Sequence, residues 1–402
     1  MSEVWTPTRA AGLDRIAAFQ PRMGRAYAAV RNTDFGPGRQ EAVSQLSPWV
    51  RRRLVTEEEL ARAALEAHGP RAAEKFVQEV IWRTYWKGWL EMRPEVWTRY
   101  VAERDAALAK VEANAGLRTA LTQAVEGRTG IEGFDDWARE LVEIGWLHNH
   151  ARMWFASIWI FTLRLPWTLG ADFFLRHLMD GDPASNTLSW RWVAGLQTQG
   201  KTYLATASNI EQFTEGRFRP SGLAKVAEPL SEAPIPAARA LPSAAGQTPD
   251  GPQLLLITAE DLSPESLIGP WEMAGVVLAS EPGTATSGEV ARVFLGGAMD
   301  DAAARAEARY RQPVQRLPGL EPEALIAAAQ AAGVTAIVTS YAPVGPTAEA
   351  LARARPVLAA QGMELVQVRR DWDEAMWPLA TKGFFPFKEK APTVLRMLGL
   401  PA

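Results

Sequence analysis

Through the first 219 residues, apolar positions return every three or four places, the spacing of helices that bury one face. A helix is expected over Glu57–Glu66 (EEELARAALE), capped by Thr56 and carrying acids in its first turn, where the helix dipole favours them. A second is expected over Ala72–Leu90. Its positions Phe76, Val80, Trp82, Tyr85, Trp86 and Trp89 wrap more than one face, as in a helix that is buried or lines a site. Phe134–Trp146 is amphipathic, with Phe134, Trp137, Leu141 and Ile144 in register. Ala151–Leu163 and Ala171–Met179 continue the pattern, and no alternating strand run interrupts it.

Residues 220–252 lose all apolar period and are rich in Pro, Ala, Ser and Gly, the composition of a semi-extended linker. From Gln253 short aliphatic runs alternate with helical ones. Strands are expected at Leu254–Thr258, Gly275–Ala279, Arg292–Leu295, Thr335–Thr339 and Glu364–Val368, and helices near Asp300–Arg311, Glu321–Ala332 and Thr347–Gln361. That alternation predicts a small α/β domain on a mostly parallel sheet. The chain therefore divides into a helical domain (1–219), a linker (220–252) and an α/β domain (253–402). No G-x-G-x-x-G or Walker loop supports nucleotide binding in the last of these.

Composition narrows the class. At 402 residues with 47% hydrophobic and 22% charged positions, the chain is globular and large enough for two domains. It has no cysteine, which excludes disulfides, zinc–thiolate sites and iron–sulfur clusters and fits a cytoplasmic protein. No segment approaches the roughly 18 consecutive apolar residues of a membrane span, and the N-terminus has no signal-peptide apolar region. A net charge of −3 gives no overall attraction to DNA, so nucleic-acid binding would need a local basic surface. Thirteen of the 16 tryptophans precede residue 193, which places the enrichment in the helical domain. Indoles packed as core filler and indoles that relay electrons or stack on bases both fit that count.

Candidate chemistry concentrates between Gly145 and Gly195. Asp180 and Asp182 stand two apart in a DGDP turn, with Arg152 upstream on a helix, placed to pair with one of them. The two acids suit a divalent metal, hydrogen bonds from ribose or ribityl hydroxyls, or simple capping of the next helix. His148 and His150, at i and i+2, point to nearly opposite sides of a helix and do not suit one metal.

The run GW-x-HN-x-x-RM, followed by DGD-x-x-x-N-x-x-x-W-x-W, resembles the FAD-binding signature of the DNA photolyase/cryptochrome superfamily. EVIWRTY (Glu79–Tyr85) is similar to the family's E-L-I-W-R-E-F helix, and VSQLSPWV (Val43–Val50) to its phosphate-contact loop. The resemblance covers most of residues 5–210. It implies an all-helical FAD-binding domain followed by a small Rossmann-like α/β domain similar to the family's antenna domain, which normally comes first in the chain.

The same resemblance implies roles. Ser44, Leu46 and Ser47 would line the FAD phosphates at the start of a helix. Arg152 would pair with Asp180 near the isoalloxazine, Asp182 would meet the cofactor's hydroxyls, and Asn186 would sit beside flavin N5. Trp190 and Trp167 match the first two indoles of the family's electron relay, and Asn114 stands where a third is usual. Glu79, Trp82, Asn149, Met153 and Trp192 match positions that hold a cyclobutane pyrimidine dimer, a lesion flipped from the duplex and stacked on aromatic faces. Gln45, His150 and Ala205 replace arginines of the family, and lost cations weaken contact with DNA phosphates. The expected activity is blue-light-driven electron transfer from reduced FAD to a dimer in UV-damaged DNA. The alternative is a cryptochrome-like photoreceptor that signals through a partner.

Overall fold

The computed structural model describes residues 5–243, 251–268, 272–283 and 286–402. Among these, all regular structure before residue 253 is helical. The helices expected on either side of Gly69 form one span, Glu57–Glu91, bent at that glycine, whose φ of 68° a side chain rarely adopts. Thr56 and Glu59 cap its start reciprocally, hydroxyl to backbone and carboxylate to backbone. Phe134–Ile144 ends on left-handed Gly145, and Asn149–Ser157 passes into a wider turn over Ile158–Thr162. Trp167–His177 and Pro183–Val193 follow, joined by the acidic turn.

Five parallel strands form the C-terminal sheet: β1 (Gln253–Ile257), β2 (Met273–Ala279), β3 (Val314–Leu317), β4 (Ala336–Ser340) and β5 (Glu364–Val368), in the order β3-β2-β1-β4-β5. Leu255 pairs with Val276 on one side and Val338 on the other, and Val338 pairs with Val366. Side chains alternate across the sheet. Leu255, Ile257, Val276, Leu278 and Val338 join the core of the helical half. Leu254, Leu256, Val277 and Ile337 pack on the opposite side with residues of the helices Pro322–Ala331 and Pro346–Ala360.

One strand expectation fails. Arg292–Leu295 lies inside a helix, Glu289–Tyr310, which also begins well before the expected Asp300. Phe294, Ala298, Ala302 and Ala306 are buried at steps of four, so the short apolar run belongs to a helical stripe. The remaining strand, β3, is QRL-rich and half exposed at the sheet edge, and its apolar signal is weak.

In open α/β sheets a crevice lies at the carboxyl ends of the strands where the order reverses, here between β1 and β4. The helical half fills it. Arg51 forms a double hydrogen bond with Glu260, just after β1, at 2.8 and 2.9 Å. Arg53 bonds Asp373 at 2.5 Å and Arg52 bonds Glu281 at 2.8 Å. From the other direction, Tyr341, just after β4, donates to Glu91 at 2.7 Å. Of the expected linker, residues 220–243 hold neither helix nor strand but lie against both halves; the part at 244–250 falls outside the described residues. Glu232 pairs with buried Arg191, Arg239 donates its backbone N–H to Met92, and Arg369 donates to the Pro242 carbonyl.

Candidate functional site

A cavity of about 490 Å³ opens inside the helical half, within the usual range for small-molecule sites. Three helices each turn one face to it. Glu79, Trp82, Arg83 and Trp86 come from the Glu57–Glu91 span; Asn149, Arg152 and Met153 come from the helix after His148; Asn186, Trp190 and Val193 come from Pro183–Val193. These spacings of three and four residues put each set on a single stripe. Ser44, Leu46 and Ser47, at the start of the Ser47–Arg51 helix, close one end.

The acidic turn is held by cations. Arg152 grips Asp180 with two bonds, 3.0 and 2.8 Å. Burial alone would raise the Asp180 pKa, but the Arg152 guanidinium and Arg83 outweigh it and hold the carboxyl below its ordinary value. Asp182 is likewise buried. Lys87, Arg83 and Arg51, each within 3.7 to 3.8 Å, overcome the desolvation and push its pKa far down. Its Oδ1 accepts the Ser185 N–H at 2.7 Å, so Asp182 also caps the Pro183–Val193 helix. No group of His, Asp and Glu suited to a metal occurs among the described residues.

All the residues given a cofactor, relay or lesion role in the sequence line this cavity except Trp167. That indole is buried one helical turn before Gly170, where a Cβ would lie 2.3 Å from the Trp190 ring, so the helix that begins at Trp167 packs against Trp190. Trp82 and Trp192 each have one face already covered. Phe384 stacks on Trp82 at 3.4 Å and 8°, and Tyr203 stacks on Trp192 at 5.7 Å and 28°. Arg83 was not singled out, although it follows Trp82 directly in EVIWRTY; it faces both acids of the turn.

The replaced arginines have separate fates. Arg15, from the Arg9–Phe19 helix, reaches the loop and donates to Ser44 O at 2.6 Å and Gln45 Oε1 at 2.5 Å, which restores a cation beside the loop. His150 is packed between Trp154 and Phe213, and Ala205 is buried with its N–H on Ser157. His148 does not share a helix face with His150. It precedes the helix, accepts the His150 N–H on Nδ1 and faces the Arg31 carbonyl with Nε2.

The donor set suits a dinucleotide bearing phosphates and hydroxyls. Arg83 Nη1 and Ser185 Oγ are buried without a hydrogen-bond partner, as is Trp190 Nε1, and such groups demand partners. The fold and cavity thus define a helical flavoprotein domain. Residues 76–219 match the family model for the FAD-binding domain of DNA photolyase, a domain whose cofactor is FAD. The chain is 36% identical to a deoxyribodipyrimidine photo-lyase of Streptomyces griseus over 159 residues, 39% of this chain and 33% of that protein. It is 32% identical to one from Thermus thermophilus over 206 residues, 51% of this chain and 47% of that protein. It thus spans between a third and a half of these relatives' length. A bacterial class III photolyase structure from Agrobacterium tumefaciens aligns with a TM-score of 0.45 at 27% identity, over 53% of this chain and 44% of that one.

On the far side of Ser44 and Gln45 lies a second, wider hollow of about 1100 Å³, which includes Glu140. Burial, with Asp34 nearby, pushes the Glu140 carboxyl up to about 8 despite Arg217. A glutamate in the unfolded chain titrates near 4.3. The folded protein therefore holds a proton that the unfolded chain releases, so this stabilisation is full below about pH 4.3 and is lost as pH rises towards 8. Glu140→Gln is expected to raise stability at pH 8 by a few kcal/mol, each displaced pKa unit being worth about 1.4 kcal/mol, and to change little at pH 4.5. Thermal unfolding at both pH values checks this; an equal shift at the two would rule it out.

Proposed function

We propose that the protein is a light-driven flavoenzyme that splits cyclobutane pyrimidine dimers in UV-damaged DNA. The observation that carries this reading is the single cavity shared by the FAD candidates Arg152, Asp180, Asp182 and Asn186 and the lesion candidates Glu79, Trp82, Asn149, Met153 and Trp192. Bound there, FAD supplies the electron chemistry, and the residues supply geometry and electrostatics. Ser44, Leu46 and Ser47 would hold its phosphates, with Arg83 and Asp182 at its charged and hydroxyl groups.

Asn186 donates its amide N–H to the Ala171 carbonyl at 2.8 Å, which leaves its carbonyl oxygen to accept from a protonated flavin N5. Glu79 is raised by burial in spite of Arg31 and Lys75, and it lines the cavity with Arg31 3.7 Å away. Trp82 and Trp192, backed by Phe384 and Tyr203, offer fixed ring faces to a flipped pair of bases. Trp82→Ala and Trp192→Ala are each expected to weaken dimer binding by about 1–3 kcal/mol, the worth of one aromatic stack. Titration with a dimer-containing oligonucleotide tests them, and unchanged affinity removes the residue from the site.

A second reading, a cryptochrome-like photoreceptor acting through a protein partner, draws on buried Ala205 and packed His150, which present no cation to a DNA backbone. The deciding experiment follows dimer loss from UV-irradiated oligothymidine with reduced, FAD-loaded protein in blue light against a dark control. Light-dependent loss supports the enzyme. Its absence with FAD fully bound and reduced favours the photoreceptor.

A further inference from the structure

Beyond Trp167 stand two further rings, both from the Glu95–Ala113 helix. The Tyr100 ring lies 5.6 Å from Trp167, and Trp97 lies 5.2 Å from Tyr100, at interplanar angles of 40° and 41°. All three are buried. At the end of the row, Trp97 Nε1 donates to the carboxylate of Glu349 at 2.8 Å. Glu349 is exposed and comes from the Pro346–Ala360 helix of the α/β half.

The N–H groups along the way differ in one respect that matters to an oxidised indole, whose N–H is far more acidic than that of the neutral ring. Trp190 Nε1 meets no protein acceptor, so an electron hole there finds no protein base to take its proton and stays mobile. The Tyr100 hydroxyl is buried without a partner too, and desolvation raises its pKa, so the phenol has nowhere to send a proton and serves as a bridge. Trp159, which touches Trp190 edge-on at 6.2 Å, donates to the Pro166 carbonyl, which is no base. Glu103 lies beside the Trp167 indole and is the competing acceptor one step earlier.

We infer that Trp97 is the terminal donor of the electron relay and that Glu349 takes its proton, so that the α/β half completes the photochemistry of the helical half. This rests on the flavoprotein relay reading of Trp190 and Trp167. With FAD bound and excited, Trp190 would give up one electron and be refilled from Trp167, and Trp167 from Trp97 across Tyr100. Trp97, one electron short, passes its Nε1 proton to Glu349 and becomes a neutral indolyl radical. An external thiolate returns the electron, and Glu349 returns the proton.

Flash photolysis of the FAD-loaded protein, with electron paramagnetic resonance of samples frozen under illumination and ring-deuterated tryptophan, tests this. Wild type is expected to give a long-lived neutral tryptophan radical whose formation slows in D2O. Trp97→Phe and Glu349→Gln are expected to remove that signal and shorten the radical lifetime at least several-fold, while Glu103→Gln retains it. A neutral radical unchanged in Trp97→Phe but absent in Trp190→Phe overturns the inference and leaves the relay standing. No tryptophan radical in wild type overturns the relay reading and the inference together.

Discussion

Trp190→Phe is expected to abolish fast photoreduction of the oxidised flavin while leaving FAD bound. Trp190 lies one helical turn beyond Asn186 on the same stripe of Pro183–Val193 and is part of the cavity wall. Its ring is clamped edge-on by Phe174 at 5.1 Å and by Trp159 at 6.2 Å, and Gly170 is bare because a Cβ there would strike it. A phenylalanine preserves most of this packing, since it is apolar and smaller, so the cofactor should stay. What disappears is the oxidisable indole, because benzene rings resist oxidation by an excited flavin. Illumination with blue light in excess thiol, followed at the flavin absorption bands, measures the rate, and FAD content of the purified protein separates loss of transfer from loss of cofactor. Undiminished photoreduction would exclude Trp190 from the electron path and, with it, the order Trp190, Trp167, Trp97.

That Asp180, Asp182, Asn186 and Trp190 share one cavity was legible in the sequence because they lie in short, contiguous motifs. They sit within eleven positions on one turn and one helix, so local spacing alone brings them together. Four of the five strands were legible for a similar reason, each being a short aliphatic run between turns. The failure at Arg292–Leu295 came from reading four residues where the helical stripe Phe294–Ala306 needs more than twice as many to declare its period.

What stayed hidden depends on pairs far apart in the chain. Arg51 and Glu260 are separated by 209 positions, and Trp97 and Glu349 by 252. Phe384 backs Trp82 from near the other end of the chain. A single sequence carries no signal for such pairs. All three arginines of the RRR run at 51–53 are buried against carboxylates from the α/β half. The segment 220–243 reads as a tether for the same reason, because its partners Ala194, Met92 and Arg369 come from elsewhere.

Arg51→Met is the substitution expected to cost most in stability. Arg51 is 2% exposed and donates Nε to the Gly181 carbonyl at 2.7 Å, inside the DGD turn, while its other nitrogens meet Glu260 and Glu281. Methionine fills similar space but leaves buried Glu260 without its partner and removes one of the three cations around Asp182. Breaking a buried pair from one side costs about 3–5 kcal/mol, because the remaining charge is uncompensated. The loss falls on the turn that carries Asp180 and Asp182, so FAD retention should drop together with the melting temperature. Pairing the change with Glu260→Leu removes the stranded carboxylate and should recover a large part of the stability, since apolar replacement of a whole buried pair is often neutral. FAD retention should recover less, because Gly181 still lacks its donor. Thermal unfolding and flavin content of Arg51→Met, Glu260→Leu and the double variant resolve the two effects. If the single Arg51→Met variant melts like wild type, the arginine cluster does not hold the halves together. If stability and flavin content recover in parallel in the double variant, Arg51 serves the interface alone and not the turn.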